Sequence, residues 1–136
     1  MRYLCSLEKK NQTLYSPLPK ARALVDMWAD YTNKHIGLAA THLAWQKVWK
    51  PRHGLLENPE CTGQALDKIK FFLGVVEKQL SRQEYLATDH ETSPDLSFYP
   101  QAHCLDLVGF DLQAYPALIS WMERVRADSV NATLEI

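Results

Sequence analysis

The strongest pattern along the chain is a run of large side chains spaced alternately by four and three. Leu24, Trp28, Tyr31, His35, Leu38, His42, Trp45 and Trp49 follow it, which places them on one face of a helix. Val25, Ala29, Ile36, Ala40 and Leu43 widen the apolar arc, while Asp26, Asp30, Asn33, Lys34 and Lys47 lie mostly elsewhere. The pattern predicts one long helix over about 20–50. Pro19 suits its first turn, and Pro51 is expected to stop it. So wide an arc predicts burial on more than one side. Gly37 costs about 1 kcal/mol of helix propensity. With Ala39, Ala40 and Ala44 beside it, close backbone approach is the expected compensation.

Three further helices follow from start and stop signals. Asn58-Pro59 supplies a cap and a proline for a first helical position. Leu66, Ile69, Phe72, Leu73, Val76 and Leu80 form the stripe behind it, and Ser81-Arg82-Gln83 ends it. A short loop between two helices predicts antiparallel packing. Thr92-Ser93-Pro94-Asp95 reads as a capping box, with Thr92 as the cap and Asp95 at the third helical position. Pro100 is expected to kink or interrupt that helix near Leu96, and Gly109 to stop it. The last helix follows Tyr115-Pro116, with Leu118, Ile119, Met122 and Val125 as its face and Trp121 adjoining. Arg124 and Arg126 suit its C-terminal dipole. The stretch 2–10 fits one or two helical turns, Asn11 to Pro19 reads as a loop, and 129–136 has no assigned structure. No strand alternation of useful length appears, so the fold class is all-α, a helical bundle with one long helix.

Composition narrows the function classes. At 136 residues the chain suits one domain. Fifteen basic against sixteen acidic residues leave a net charge of −1, which gives no electrostatic reason for a nucleic-acid or membrane partner. Five glycines leave little material for phosphate-cradling loops, and no window resembles a Walker or dinucleotide motif. Cys5, Cys61 and Cys104 are far apart, without a CxxC pair. They predict a reducing compartment rather than a disulfide framework, and no metal site. No signal-peptide core or membrane-length apolar run is present, so a cytoplasmic location is expected.

The residues from Leu96 onward carry a resemblance. The capping box with Leu96, Tyr99 and Pro100, then Gly109-x-Asp111-Leu112-x-x-Tyr115-Pro116-x-Leu118-x-x-Trp121-Met122-x-Arg124-Val125, resembles the C-terminal helical domain of cytosolic glutathione transferases. Tyr85-Leu86-Ala87-Thr88-Asp89 is similar to the family's segment before that box, with Thr88 where Gly is usual. Arg22 to Trp28 resembles the opening of its long helix, and Trp45 to Pro51 the end of that helix in theta-like members. Arg2-Tyr3-Leu4 looks like the last helix of the thioredoxin-like half, and Leu14-Tyr15-x-Pro17 like the linker. The resemblance thus divides the chain into a remnant and linker at 1–16 and a helical domain at 17–136. Glu91 stands where an apolar staple residue is usual and Pro94 where Ala is common; both are expected to weaken the box.

The resemblance implies half of an enzyme. In the family, the thioredoxin-like half holds glutathione and the catalytic Ser, Tyr or Cys, while the helical half supplies much of the electrophile site and part of the dimer interface. No catalytic residue and no cofactor are therefore expected in this chain; glutathione is the co-substrate of the full-length family. The chain alone is expected to be inactive. Its expected partners are a second copy, the missing thioredoxin-like domain or a small hydrophobic ligand. The alternative is a non-catalytic interaction module, of the kind found in translation factors and synthetase complexes.

The candidate hydrophobic site is Leu38, Thr41, His42, Trp45 and Trp49. The resemblance places Thr41, Trp45 and Trp49 on the cleft side, and the helical stripe independently groups Leu38, His42, Trp45 and Trp49. Aromatic walls with few polar anchors suit a small apolar ligand. The competing reading is that these are core or domain-interface residues. His35 and His42 lie about 10 Å apart along the helix, too far for a metal pair, and are expected to be hydrogen-bonded structural histidines. Cys61, in a first helical turn, and Cys5, near Lys9 and Lys10, are weak nucleophile candidates. Thr92 and Asp95 are assigned a capping role, so mutating Asp95 is expected to damage folding before chemistry.

Overall fold

Every helix opens with a proline at its first or second position, where a missing amide donor costs nothing. The computed structural model describes residues 14–127; the turns expected over 2–10, Cys5, most of the remnant at 1–16 and the tail from 129 lie outside them. Among the described residues are four helical runs and no strand. Helix α1 covers 19–52, α2 Pro59–Leu80, α3 Ser93–Leu107 and α4 Pro116–Ala127.

Helix α1 is not uniform. Its α-helical parts, Pro19–Tyr31, Leu38–Ala44 and Lys50–Arg52, are joined by π turns at Thr32–Gly37 and Trp45–Trp49. Thr32 is fully buried, and its hydroxyl donates to the carbonyls of Trp28 and Ala29 at 2.9 and 3.3 Å. Such back-bonding competes with the helical ladder where the first wide turn begins. Val25, Trp28, Thr32, Ile36, Ala39, Ala40, Leu43 and Gln46 are its buried line. Of the large-residue stripe, only Trp28 is buried; His35, Leu38, His42, Trp45 and Trp49 are exposed.

Pro51 does not stop this helix. Helical structure runs to Arg52, and Gly54 ends it at φ 69°. Leu55 donates its amide to the Lys50 carbonyl at 2.9 Å and Gly54 to Pro51 at 3.0 Å, a Schellman closure. Proline removes one donor but leaves the chain in helical φ; glycine supplies the left-handed residue that turns it away. Gly109 closes α3 in the same way at φ 79°, as expected, with Phe110 bonded to Leu105 and Gly109 to Asp106. Pro100, in turn, does not interrupt α3. The Gln101 side-chain amide donates to the Ser97 carbonyl at 3.0 Å beside it, which supports the ladder where proline weakens it.

Helices α1 and α2 are antiparallel. The Tyr31 hydroxyl donates to the Phe72 carbonyl at 3.3 Å, and the Asn58 amide to Gln46 Oε1 at 2.9 Å. Asn58 caps α2, accepting from the amides of Glu60 and Cys61 at 3.0 and 3.2 Å. Helix α3 runs alongside the first half of α1 and leaves it beyond Ala44. Helix α4 has its N-terminus capped from a distance: the Glu77 carboxylate accepts from the amides of Ala117 and Leu118 at 2.8 and 2.9 Å.

The core is centred on Ile36, Leu43, Ile69, Leu73, Phe98, Leu118 and Trp121, all essentially unexposed. Trp121 is therefore a core residue rather than a neighbour of the α4 face. Beside it lies the capping box, which closes despite Glu91 and Pro94. Fully buried Asp95 accepts from the Thr92 amide at 3.0 Å and the Thr92 hydroxyl at 2.8 Å through Oδ2. Through Oδ1 it accepts from the Leu86 amide and the Trp121 indole, both at 2.9 Å. One carboxylate thus ties the 83–92 loop, α3 and α4 together.

Candidate ligand groove

Where α3 parts from α1, a groove of 470 Å³ opens. Gly37, Ala40, Thr41, Ala44, Trp45 and Trp49 line it from α1, and Pro100, Gln101 and Cys104 from α3. Local chemistry makes it apolar. The Thr41 hydroxyl is committed to the Gly37 carbonyl at 2.8 Å. The Gln101 amide nitrogen is committed to Asn33 Oδ1 at 2.6 Å and to the Ser97 carbonyl. The small residues Gly37, Ala40 and Ala44 form the floor, and the two indoles form the wall. A Cβ on Gly37 would sit 2.8 Å from Gln101 Oε1; what approaches this glycine is a side chain of α3 rather than the expected backbone. Gln101 Oε1 is itself buried with no hydrogen-bond partner.

The Trp wall is held by the second π turn and the loop after it. Buried Gln46 anchors Asn58, and Glu57 accepts from the Thr62 hydroxyl at 2.9 Å and pairs with Lys47 at 2.9 Å. Hydrogen bonding from Lys47, then from Thr62, pulls the Glu57 carboxyl below its ordinary range. The indoles remain about half exposed, at 46% for Trp45 and 48% for Trp49.

Thr41, Trp45 and Trp49 thus meet in one groove. Leu38 and His42 do not line it; they lie on the exposed flank of the same helix. Pro100, Gln101 and Cys104 were not among the expected site residues. Their signal was the spacing of Pro100 and Cys104, four apart on one face of α3, but nothing in the sequence paired that face with α1. Cys104 and Cys61 are exposed free thiols. His35 and His42 are not hydrogen-bonded structural histidines, because neither imidazole ring has a hydrogen bond to a described residue. Instead His35 stacks on Phe72 with ring centroids 4.6 Å apart, in a cluster with Tyr31. Both rings stay exposed because this flank of α1 faces outward. Among the described residues no group of three side chains could hold a metal ion, and no helix is long and apolar enough to cross a membrane.

Residues 28–128 match the family described as glutathione S-transferase, C-terminal domain. Glutathione S-transferase 1 of Zea mays is 28% identical over 119 residues, covering 83% of this chain and 56% of its own length. Probable glutathione S-transferase GSTF1 of Oryza sativa subsp. japonica is 26% identical over 108 residues, covering 77% and 49%. The chain spans about half the length of the curated relatives it matches. Among solved structures, glutathione transferase F2 of Populus trichocarpa superposes with a TM-score of 0.84 at 22% identity, over 98% of this chain and 64% of the other. A theta class glutathione S-transferase of Xanthomonas axonopodis pv. citri gives 0.83 at 23%, over 97% and 68%. At these identities the structures establish the fold.

Proposed function

Since the chain belongs to the glutathione S-transferase C-terminal domain family, we propose that its groove receives the hydrophobic electrophile in glutathione conjugation. The observation that carries this reading is the apolar groove walled by Trp45 and Trp49. Its volume suits a small organic ligand, and the donors of Thr41 and Gln101 are spent on the protein itself. Thr41, Trp45 and Trp49 contact the ligand directly; Leu38 and His42, which the sequence also suggested, flank the site. Residues 1–16 correspond to the end of a thioredoxin-like half and its linker, and 17–136 to the helical half. Glutathione is the co-substrate, bound by groups of the thioredoxin-like half rather than by this groove.

The same reading predicts that the purified chain does not conjugate glutathione to a general aromatic electrophile. Turnover at ordinary enzyme rates would overturn it. The scattered cysteines favour the cytosol as its location. A second reading, self-association, is favoured by one observation. Phe71 and Val75 are exposed at 70% and 39% on α2, and Phe71 adjoins the Phe72–His35 stack. Apolar surface of this kind marks subunit contacts. Light scattering of the chain beside its Phe71→Ser variant tests it: loss of a dimer in the variant supports the contact, and a monomeric parent excludes it.

A further inference from the structure

Gln101 closes the groove at the end where α1 and α3 still touch. Its carboxamide lies over Gly37, whose missing side chain leaves the room for it. The amide nitrogen donates to Asn33 Oδ1 at 2.6 Å and to the Ser97 carbonyl at 3.0 Å. Asn33 and Gly37 both belong to the first π turn of α1. One side chain of α3 is thus seated in that turn and clasped to it. The seat carries a penalty. Oε1 is buried with no hydrogen-bond partner among the described residues, and an acceptor left so destabilises the fold. An apolar chain of similar length would fill the space without that penalty, so packing does not account for glutamine here. What glutamine adds is the clasp, which holds a flexible side chain against whatever presses on it from the groove.

We infer that Gln101 is the specificity-determining residue of the groove. Clasped over Gly37, it stoppers the passage between the two helices. Compact ring-shaped electrophiles fit in front of it, and long-chain ones gain no further buried surface from their added length. The inference rests on the groove being an apolar-ligand site. The indoles of Trp45 and Trp49 are about half exposed, so they supply contact area without limiting length. Gln101 and Gly37 line the groove together, so truncating the glutamine joins the space over Gly37 to it.

A homologous series of primary alcohols, from butanol to dodecanol, measures the passage by displacing N-phenyl-1-naphthylamine from the protein. Protection of Cys104 from maleimide, with Cys61 on α2 as the unprotected control, places the probe in the groove. In the parent, each added methylene is expected to tighten binding about fourfold up to a cut-off length and not beyond it. Gln101→Ala is expected to move the cut-off outward by roughly three carbons, the room its side chain vacates in a close-packed wall. Asn33 is exposed, so Asn33→Ala leaves the core alone; it is expected to move the cut-off outward too, because the clasp is gone. Trp49→Ala is expected to weaken every alcohol and leave the cut-off in place. No cut-off in the parent, an unmoved cut-off in Gln101→Ala or Asn33→Ala, or an equal shift in Trp49→Ala would overturn the stopper and leave the groove standing. Where urea melts show that Gln101→Ala does not fold, Asn33→Ala decides alone. A probe that fails to bind the parent, or binds without protecting Cys104, removes the groove reading and the inference with it.

Discussion

Asp95 concentrates more of the fold than any other single side chain. Its two oxygens serve the Thr92 amide and hydroxyl, the Leu86 amide and the Trp121 indole. A buried donor left alone costs about 1–3 kcal/mol, so Asp95→Ala is expected to lose about 3 kcal/mol or more in urea denaturation. Asp95→Asn keeps an acceptor and is expected to lose less. Equal stability of Asp95→Ala and the parent chain would remove the carboxylate from this role. The sequence made the capping half of this role legible, because Thr92 and Asp95 stand at the spacing of a box. The links to Leu86 and Trp121 were not legible, since they join residues 9 and 26 positions apart that only packing brings together. His35 and His42 illustrate the opposite error. Their helical spacing was plain, but spacing does not reveal whether a flank is covered, and here it is not.

Helix boundaries followed local chemistry and were readable wherever that chemistry was complete. Asn58-Pro59, the Thr92 box and Gly109 each place a cap or a left-handed residue at its terminus. Pro51 misled because proline penalises a helix through its missing donor, whereas the chain leaves α1 only at Gly54, where φ turns positive. A non-glycine residue in that left-handed region costs roughly 1–2 kcal/mol. Gly54→Ala and Gly109→Ala are therefore each expected to lower stability by about that amount in thermal or urea melts, and Gly109→Asn by less. An alanine at either site with no effect would mean that the Schellman closure is not what ends the helix. The stripe on α1 failed for a different reason. The buried line keeps the same alternation of three and four but falls one position beyond most of the stripe, and a wide apolar arc does not say which of its edges is covered. Beyond Ile36 the buried line passes through Ala39, Ala40, Leu43 and Gln46, and Leu38, His42, Trp45 and Trp49 are left outside.

At the scale of the molecule, the helices divide the labour. Helices α2 and α4, with the buried faces of α1 and α3, close a core around Trp121 and Phe98, whose rings sit 5.3 Å apart. Toward its C-terminal end α1 stays packed on that core but parts from α3, and the groove opens between the two. The all-α class and the wide use of α1 followed from periodicity, but the groove needed two helices and so could not be read from either one alone. Only its α1 wall, Thr41, Trp45 and Trp49, was legible. As proposed, this groove binds an apolar aromatic ligand through the two exposed indoles. Titrating N-phenyl-1-naphthylamine while following tryptophan emission tests it most directly, in the parent chain and in Trp45→Ala and Trp49→Ala. Trp28 and Trp121 are buried and serve as the internal background. Saturable quenching in the parent, with roughly tenfold weaker binding in each variant from the loss of an aromatic wall, is the predicted result. No saturable change in the parent, or undiminished affinity in both variants, would contradict it.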